Sequence, residues 1–471
     1  MTDVNKAIKP VESLTIAPLN EGGEFRANNY IQFKIGASDL SMWLVNNSYM
    51  RFDLQYTRAA WTPDPDSDNA TAASKTYLRN ANFVFRMVEI LYGGDPIYSI
   101  PYNIEQNVVK MLDYGESYMN ANFATFTTTK MIKDETAYLE FDNGTTGTKS
   151  GDPAAFPAIA AATKTIKDIM IPINQLLPIF QDCTSNGFPV KNLKSQLEIR
   201  LYIAEPRRYL VDYNQTTNDF SDKPWVGEIP QEHSTIEARY PAGSVQLQNV
   251  RFYVSNYIPN PSESAVIDDK VNSTGLKMRY SMIQSGLRQM EKIQLGQNII
   301  PFTVSTNNVT SLMLYCHKQN LSPSLMYRPY IDSLYIKFGA NQLPFQPIAG
   351  DSFSAPHEFK FTSDDVLNSI DTYFSETNND YNRSYHQSDA PEFTDNVRDG
   401  LSIPESSFVM MGANYVNDPA DMGSNSSRWN SQYQAHFTGK NEDRTQLTYV
   451  LAVKTEYGLI LKDGDLKTVN I

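Results

Sequence analysis

The stretch that decides the fold is "FRMVEILYGGDPIYSI", Phe85–Ile100, in which two apolar runs flank Gly93-Gly94. A second stretch, "IDSLYIKFGANQLPFQPI" (Ile331–Ile348), has the same layout around Gly339-Ala340-Asn341. A glycine-rich loop that binds phosphate leads straight into a helix N-terminus, whereas here a second apolar run follows each turn. Short turns with Gly or Asn supply the positive φ that a β-hairpin requires. Both stretches are therefore interpreted as hairpins.

The two hairpins sit in similar surroundings, which indicates a duplication. Each is followed by a helix signal, Asn103 with Gln106 in the first case and Thr362 with Asp365 in the second. Each is preceded by an apolar strand pattern, "YMRFDLQY" and "TSLMLYCHK". The strands that begin at Leu197 and Leu447 are separated by nearly the same number of residues as the hairpins. We therefore predict an N-terminal arm (1–24) and two copies of one all-β unit (25–240 and 245–471).

Alternating apolar residues mark the strands of this all-β fold. The predicted buried faces are Met50, Phe52, Leu54 and Tyr56; Leu197, Ile199, Leu201 and Ile203; Val250, Phe252 and Val254; Leu312, Leu314 and Cys316; and Leu447, Tyr449, Leu451 and Val453. Four polar stretches are long for loops of a compact domain and are expected to carry contacts. They are Thr57–Thr76, Asn143–Ala162, Glu205–Gly243 and Ser375–Thr445.

Composition excludes several classes of function. With 53 acidic and 40 basic residues the net charge is -13, which opposes binding to nucleic-acid phosphates. No segment approaches the ~18 apolar residues of a membrane helix, and the N-terminus lacks the apolar core of a signal peptide. The protein is therefore expected to be made in soluble form inside a cell. Cys183 and Cys316 are expected to be buried free thiols.

No motif in the sequence is typical of a catalytic or ligand-binding site, so the sequence predicts no catalytic, cofactor-binding or metal-binding residues. "GTTGTKSG" (Gly144–Gly151) has the wrong spacing for a phosphate-binding loop. The histidines are scattered (His233, His317, His357, His386 and His436). His317 adjoins Cys316, but neighbouring strand residues point to opposite faces. Asp463-Gly464-Asp465 is interpreted as a last hairpin turn, with calcium binding as the alternative.

Three stretches carry a resemblance to a known family. They are "TIKDIMIPINQLLPIFQDCTSNGFPVKNLKSQLEIRLYIA" (Thr165–Ala204), the pair "YIQFKI…MWLVNNSYMRFDLQY" and "FRMVEILYGGDPIYSIPYN", and the ending "LTYVLAVKTEYGLILKDGDLKTVNI". In pattern and order, residues 25–471 resemble the double jelly-roll major capsid proteins of icosahedral double-stranded DNA viruses, of the polinton-like virus and virophage type.

The resemblance implies a fold and a function. The fold would be two tandem eight-stranded jelly-roll β-sandwiches, with short helices in the loops. The protein would be a non-enzymatic structural component of the virion, assembled inside the host cell. It would form a homotrimeric, pseudo-hexagonal capsomer and contact neighbouring capsomers, penton proteins and minor or cement capsid proteins. The long loops would form an outer tower or grip neighbours.

Two other interpretations remain open at this stage. One is a β-sandwich carbohydrate-binding protein or glycoside hydrolase, for which Trp61 and Trp429 in polar loops are the best candidates. The other is a penton or spike protein, which two jelly rolls disfavour because such proteins typically carry one.

Overall fold

The structure is a computed structural model, and its strands account for most of the described chain. It describes residues 11–22, 25–58, 73–78, 80–104, 140–145, 162–180, 183, 187–214, 219–221, 244–290, 294–304, 309–318, 331–338, 341–349, 410–411, 432–439 and 447–470. The strands are β1 (Val11–Ile16), β2 (Phe25–Arg26), β3 (Tyr30–Ile35), β4 (Met42–Arg58), β5 (Ala73–Leu78), β6 (Phe85–Tyr92), β7 (Asp95–Ile100), β8 (Glu140–Thr145), β9 (Ala162–Pro172), β10 (Leu197–Ile203), β11 (Leu210–Asn214), β12 (Asp219–Ser221), β13 (Val245–Tyr257), β14 (Leu276–Met290), β15 (Gly296–Thr303), β16 (Val309–Lys318), β17 (Ile331–Phe338), β18 (Asn341–Ala349), β19 (Met410–Met411), β20 (Gln432–Gly439), β21 (Leu447–Lys462) and β22 (Asp465–Asn470). The helices are α1 (Ile173–Leu176) and α2 (Pro261–Asn272), with 3₁₀ turns at Ala81–Val84, Pro178–Phe180, Val190–Asn192 and Pro206–Arg208.

Four antiparallel sheets form two sandwiches with the same strand order. The first sandwich has sheet 1 (β1-β13-β4-β9, with β2 on β13) and sheet 2 (β3-β10-β6-β7). The second has sheet 3 (β14-β21-β16-β19, with β22 on β21) and sheet 4 (β15-β20-β17-β18). Each main strand of the first sandwich therefore has a counterpart at the same position in the strand order of the second. The prediction of two tandem sandwiches of four plus four main strands is confirmed.

The predicted boundary between the two units rested on the assumption that the strands beginning at Leu197 and Leu447 are counterparts. The strand order shows that they are not. β10, which begins at Leu197, corresponds to β20, and β21, which begins at Leu447, corresponds to β13. The Leu197 and Leu447 strands are therefore not counterparts. β13 lies between β1 and β4 in sheet 1, so pairing places residues 245–257 in the first sandwich, although the prediction gave them to the second. The cause is that β13 closes the first sandwich only after the long excursion that follows β10.

The segment predicted as an N-terminal arm contributes to the first sandwich. β1 pairs with β13 from Val11 opposite Tyr257 to Ile16 opposite Phe252. The chain then crosses to sheet 2, where the Leu19 amide donates to the Gln32 carbonyl at 2.8 Å. The Asn20 side chain bonds to β3 as the backbone of a neighbouring strand would, because it accepts a hydrogen bond from the Gln32 amide and donates one to the Tyr30 carbonyl. This segment therefore covers the free edge of β3.

The hairpin interpretation of the opening stretch is confirmed. Tyr92 pairs with Asp95, and the two turn residues between them, Gly93 and Gly94, have φ of +61° and +98°, as a type I′ turn requires. In the second stretch Phe338 pairs with Asn341. The helices predicted after both hairpins lie almost wholly outside the described residues. Asn103 itself is buried, and its amide donates to the Phe85 carbonyl at 2.8 Å.

The predicted buried faces form the two cores, except that the side chain of Leu312 lies outside the described residues. Met50, Phe52, Leu54 and Tyr56 are at most 1% exposed, and Trp43 packs on Phe180 and Phe252 with ring centroids 5.1 and 5.7 Å apart. β10 alternates between buried and half-buried residues along its whole length. In β21 both faces are buried, since Val450 and Ala452 are as inaccessible as Tyr449 and Leu451. A strand buried on both faces indicates a layer on either side of sheet 3.

Three of the predicted long loops converge on one additional sheet. β5 lies between β4 and β6, β8 between β7 and β9, and β11 and β12 between β10 and β13. These four strands pair in the order β12-β11-β5-β8 to form sheet 5. The fourth stretch, Ser375–Thr445, is not a single loop, because it contains β19 and the central strand β20. Its strand signal is short, with Tyr433, Ala435 and Phe437 as the buried face.

A buried carboxylate shapes sheet 1. Asp53 in β4 is 7% exposed and accepts the Asp168 backbone amide from β9 at 2.8 Å and the Asn249 side-chain amide from β13 at 2.7 Å. Asp168 and Asn249 have φ of +61° and +51°, and the register shifts beside Asp53 in both pairings. Asp53 therefore holds a β-bulge in each neighbouring strand, a device that bends and twists a sheet.

Candidate functional site

The most elaborate contact in the described chain is the junction between the two sandwiches. β14 and β21 have 15 and 16 residues, whereas β15, β17 and β20 in the facing sheet have 8 each. At about 3.4 Å per residue the longer strands run about 50 Å and extend past the second sandwich. Their extension, with β22 beside it, packs against the first sandwich.

The centre of the junction is apolar. The Tyr98 and Tyr280 rings meet edge to face with centroids 6.0 Å apart, and the Cys183 sulfur lies 3.1 Å from the Met278 sulfur. Burial raises the pKa of the Tyr280 hydroxyl well above its usual range, with the neighbouring Tyr457 adding to the shift. Met278, Tyr280, Val450 and other residues of the second half belong to the same buried cluster as the first sandwich core. The sandwiches therefore share a continuous hydrophobic interior.

A hairpin turn of the second sandwich packs against the first sandwich at the edge of this shared hydrophobic interior. The Tyr92 hydroxyl and the Lys194 backbone amide, the latter at 3.1 Å, both donate to the Gly464 carbonyl. Gly464 has φ of +78°, and a Cβ there would lie 2.7 Å from the Lys194 side chain and 3.0 Å from the Asn192 carbonyl. This approach requires glycine. Asp463-Gly464 forms a two-residue hairpin turn, because Lys462 pairs with Asp465, so the hairpin interpretation is confirmed.

The linking helix α2 closes the junction with charged contacts. Asp268 accepts the Asn192 side-chain amide at 2.7 Å and lies 3.0 Å from the Lys191 ammonium. The hydrogen bond from Asn192, supported by Lys191 and Ser264, lowers the pKa of the Asp268 carboxyl. The helix itself begins with a capping box between Asn260 and Glu263. Together these contacts fix how one sandwich lies against the other.

The outer face of sheet 2 carries a self-compensating set of charges. Arg200 lies between Glu198, with which it forms a close ion pair, and Glu89 at 3.5 Å. Lys34 lies 3.9 Å from Glu198, and the Tyr202 hydroxyl donates to Glu89 at 3.2 Å. Tyr30 packs on Tyr202 at the same face. The charged groups of this face are therefore paired with one another, and exposed pairs of this kind contribute little to stability.

The equivalent face of sheet 4 is different. Ile299 of β15 is 52% exposed and lies opposite His436 of β20, which in turn lies opposite Tyr335 of β17. The His436 and Tyr335 rings stack at 4.7 Å with planes 7° apart. His436 is only 5% exposed, and burial, with Lys337 nearby, lowers its pKa. The row of Ile299, His436 and Tyr335 across this outer face therefore contains no ion pair, whereas the equivalent face of sheet 2 carries several.

Among the described residues considered for chemistry, the structure brings none together into a reactive group. Cys183 and Cys316 are buried and form no disulfide, as predicted, and Cys316 and His317 are consecutive residues of β16. Within the described ranges no three His, Cys, Asp or Glu side chains are placed to hold a metal, and no helix there is long and apolar enough to cross a membrane. Trp61, Trp429, His233, His357 and His386 lie outside the described residues.

Sequence reasoning missed the residues that build the junction. Tyr92 and Gly464 are far apart in the chain, and no local pattern pairs them. The capping box of α2 was visible as "NPSE", Asn260–Glu263, with proline at the first helical position. The stacked pair of His436 and Tyr335 had no signal beyond strand alternation.

Comparison with known proteins places this architecture among viral capsid proteins. No family model and no curated protein matches the chain. The crystal structure of the mavirus major capsid protein matches with a TM-score of 0.50 and 12% identity, over 97% of this chain and 90% of that one. The quasi-atomic model of the PBCV-1 virus capsid matches with a TM-score of 0.50 and 11% identity, over 98% and 97%. The matches cover nearly all of both chains, so both sandwiches fall within the shared fold. The chain therefore has the double jelly-roll fold of the major capsid proteins of icosahedral viruses.

Proposed function

We propose that this chain is the structural major capsid protein of an icosahedral double-stranded DNA virus, and that it has no enzymatic role. The observation that carries the proposal is the pair of sandwiches with identical strand order, joined by one continuous core and matched over nearly the full length of capsid subunits. Three copies would present six sandwiches around a threefold axis, which forms a pseudo-hexagonal unit that can tile a shell.

We also propose a division of the chain into two units, which the strand pairing supports. We place the first unit at residues 25–257, with β1 of the N-terminal segment added to its sheet 1, and the second at 276–471. α2 forms the connection between them, and the junction holds both units at one angle. A fixed angle between sandwiches is what a pseudo-hexagonal tile needs, because an error in one subunit would propagate to every contact around the ring.

The edges of the sandwiches suit a protein that assembles at high concentration. β9, an edge strand of sheet 1, carries Lys164, Lys167 and the bulge at Asp168, and β7, an edge strand of sheet 2, carries Pro96. Charged residues, bulges and proline all hinder the addition of a foreign strand. Capsid contacts would then be made by side chains on sheet faces and loops.

The partners follow from this role. The chain would contact itself within the trimer, then neighbouring capsomers, and at special positions penton and minor or cement proteins of the virion shell. The net charge of -13 argues against sequence-specific binding of nucleic acid.

The experiment that tests the proposal is the mass of the purified protein in solution, measured by light scattering behind a sizing column. The expected value is three times the 53.2 kDa of one chain, unchanged on dilution, and imaging at high concentration should then reveal hexagonal particles. A monodisperse monomer at every concentration would contradict the proposal. Glycan binding by such a monomer, lost on substitution of Trp61 or Trp429, would support the carbohydrate-binding alternative.

A further inference from the structure

We propose that the hairpin formed by the end of β21 and by β22, residues 457–470, is a clasp on which the native state of the first sandwich depends. The two strands of the clasp pair from Tyr457 opposite Asn470 to Lys462 opposite Asp465. By strand pairing the clasp belongs to the second sandwich, but its turn and its apolar side chains pack against the first. This inference concerns the folding of the single chain and goes beyond the proposed capsid function.

The clasp supplies side chains to the core of the first sandwich. Leu459, Leu461 and Leu466 are at most 2% exposed. All three belong to the same buried cluster as Ile90 and Leu197 of sheet 2, and β22 contacts the edge strand β7 of that sheet. Without the clasp, this side of the first sandwich would present apolar surface to water, which is unfavourable in proportion to the area exposed. Burial in the first sandwich is therefore complete only when the clasp is in place.

The clasp also bonds to the segment that leads into β10. The Gly464 carbonyl accepts hydrogen bonds from the Lys194 amide at 3.1 Å and from the Tyr92 hydroxyl. The same hydroxyl accepts the Ser195 amide at 3.2 Å. β10 begins at Leu197 and is paired on both sides, with β3 and with β6. Opening of the clasp would thus release the start of a central strand of sheet 2 and leave the Lys194 amide without this acceptor.

The clasp can form only after sheet 3 has paired. On one side Leu461 lies opposite Leu276 of β14, and on the other side it lies opposite Leu466 of β22. β14 and β21 follow every strand of the first sandwich in the chain, so they are synthesised later. Folding of the first sandwich is therefore conditional on folding of the second. A chain whose second sandwich is missing or misfolded would keep an exposed apolar surface and a loosened β10.

Two units that fold separately would behave differently. If each unit folded by itself and docked afterwards, a defect in the contact would leave the protection of both units unchanged. The clasp instead couples opening of the junction to opening of the first sandwich. Sheet 4 offers a contrast within the same chain, because β14 and β21 extend past its shorter strands to reach the junction. Loosening of sheet 4 can therefore occur while the clasp stays closed.

The test compares two buried aliphatic side chains of the second sandwich in the full chain. Leu466→Ala opens the clasp, and Ile300→Ala, at a residue of β15 that is likewise 2% exposed, loosens sheet 4 and is the matched control. The readout is native-state amide hydrogen exchange, measured by mass spectrometry. We expect Leu466→Ala to accelerate exchange in β6 and β10 at least about tenfold. Ile300→Ala should accelerate exchange in β15 and β20 and change that in β6 and β10 by less than about twofold.

A milder pair of variants gives the reciprocal measurement, and keeps the test decisive if Leu466→Ala does not fold. Tyr92→Phe removes only the hydroxyl that bonds to the clasp, whereas Tyr202→Phe removes a hydroxyl that bonds to Glu89 on the outer face of the same sheet. We expect Tyr92→Phe to accelerate exchange in β22 about fivefold, and Tyr202→Phe to leave exchange in β22 unchanged.

Two outcomes would overturn the inference. In the first, the variants at Leu466 and Tyr92 change exchange only in their own sandwich, which would mean that the two units fold separately. In the second, Ile300→Ala accelerates exchange in β6 and β10 as much as Leu466→Ala does, which would mean that the clasp has no special part in the coupling. Both readouts are taken on dilute protein and require no assembly, so a failure of the capsid proposal would leave this inference standing.

Discussion

The Tyr92 hydroxyl donates a hydrogen bond to the carbonyl of Gly464, and the two residues come from hairpin turns of different sandwiches. Tyr92 ends the first strand of the hairpin around Gly93-Gly94, and Gly464 occupies the last turn of the chain. The same hydroxyl accepts the Ser195 amide at 3.2 Å. One tyrosine thus connects three segments at the junction, where a loss of fit would change the angle between sandwiches.

Gly464→Ala should destabilise the protein more than Gly94→Ala does. Both glycines have positive φ, but a Cβ at Gly94 meets nothing within 4 Å, whereas one at Gly464 collides with Lys194 and Asn192. The Gly94 variant therefore measures backbone strain alone, about 1 kcal/mol. The Gly464 variant adds the collision, for a total of about 2–4 kcal/mol. Thermal unfolding of the two variants checks this, and equal melting temperatures would show that the turn does not press on the first sandwich.

Asp53→Asn should cost on the order of 2 kcal/mol in the free energy of unfolding. The substitution replaces one of two acceptor oxygens by an NH₂ group that faces a donor, either the Asp168 amide or the Asn249 side chain. The control is Asp168→Asn, which keeps a side chain that tolerates positive φ and loses only an exposed ion pair with Arg51. Denaturant titration should separate the two variants. A smaller loss for Asp53→Asn than for the control would contradict the double-bulge role.

The second sandwich should lose stability as the pH falls below 6.5. The pKa of His436 is lowered from 6.5 by burial and by Lys337, so below pH 6.5 the unfolded chain binds this proton more readily than the folded one does. Well above pH 6.5 the histidine is neutral in both states, and the penalty vanishes. His436→Gln keeps a neutral polar side chain and should flatten the pH dependence of the melting temperature between pH 7.5 and 5. Parallel wild-type and variant curves would exclude His436 as the titrating group.

Asn260→Ala should fray the N-terminus of α2. The Asn260 side chain accepts the Glu263 amide at 2.9 Å, and the Glu263 carboxylate accepts the Asn260 amide in return. Loss of such a cap costs about 1 kcal/mol, so amide hydrogen exchange in residues 262–266 should accelerate about fivefold. Lys270→Ala, an exposed change in the last turn of the same helix, serves as the control and should leave that exchange unchanged.

The fold was predictable wherever a local pattern carried it. Gly93-Gly94 and Asp463-Gly464 specify hairpins by the φ they allow, and the alternation in β4 and β10 specifies a buried face. The boundary between units was not predictable in this way, because the counterpart of β13 depends on pairing across the sheet and not on the pattern of either strand. The junction was not predictable from the sequence either. The pattern around Tyr92 indicates only the end of a strand, and its contact with Gly464 depends on tertiary packing alone. β20 was missed because its buried face includes a small residue, Ala435, within a polar stretch.

Sheet 5 has a consequence for how this capsid fold can be altered. Its strands β5, β8, β11 and β12 come from three successive excursions out of the first sandwich, and they pair only with one another. The segments that join these strands to the neighbouring sandwich strands can therefore change in length or sequence while every strand pair of the sandwiches stays intact. Peptides inserted between β8 and β9 should then leave the strand pairs of both sandwiches intact, which makes this excursion a place to graft epitopes or affinity tags.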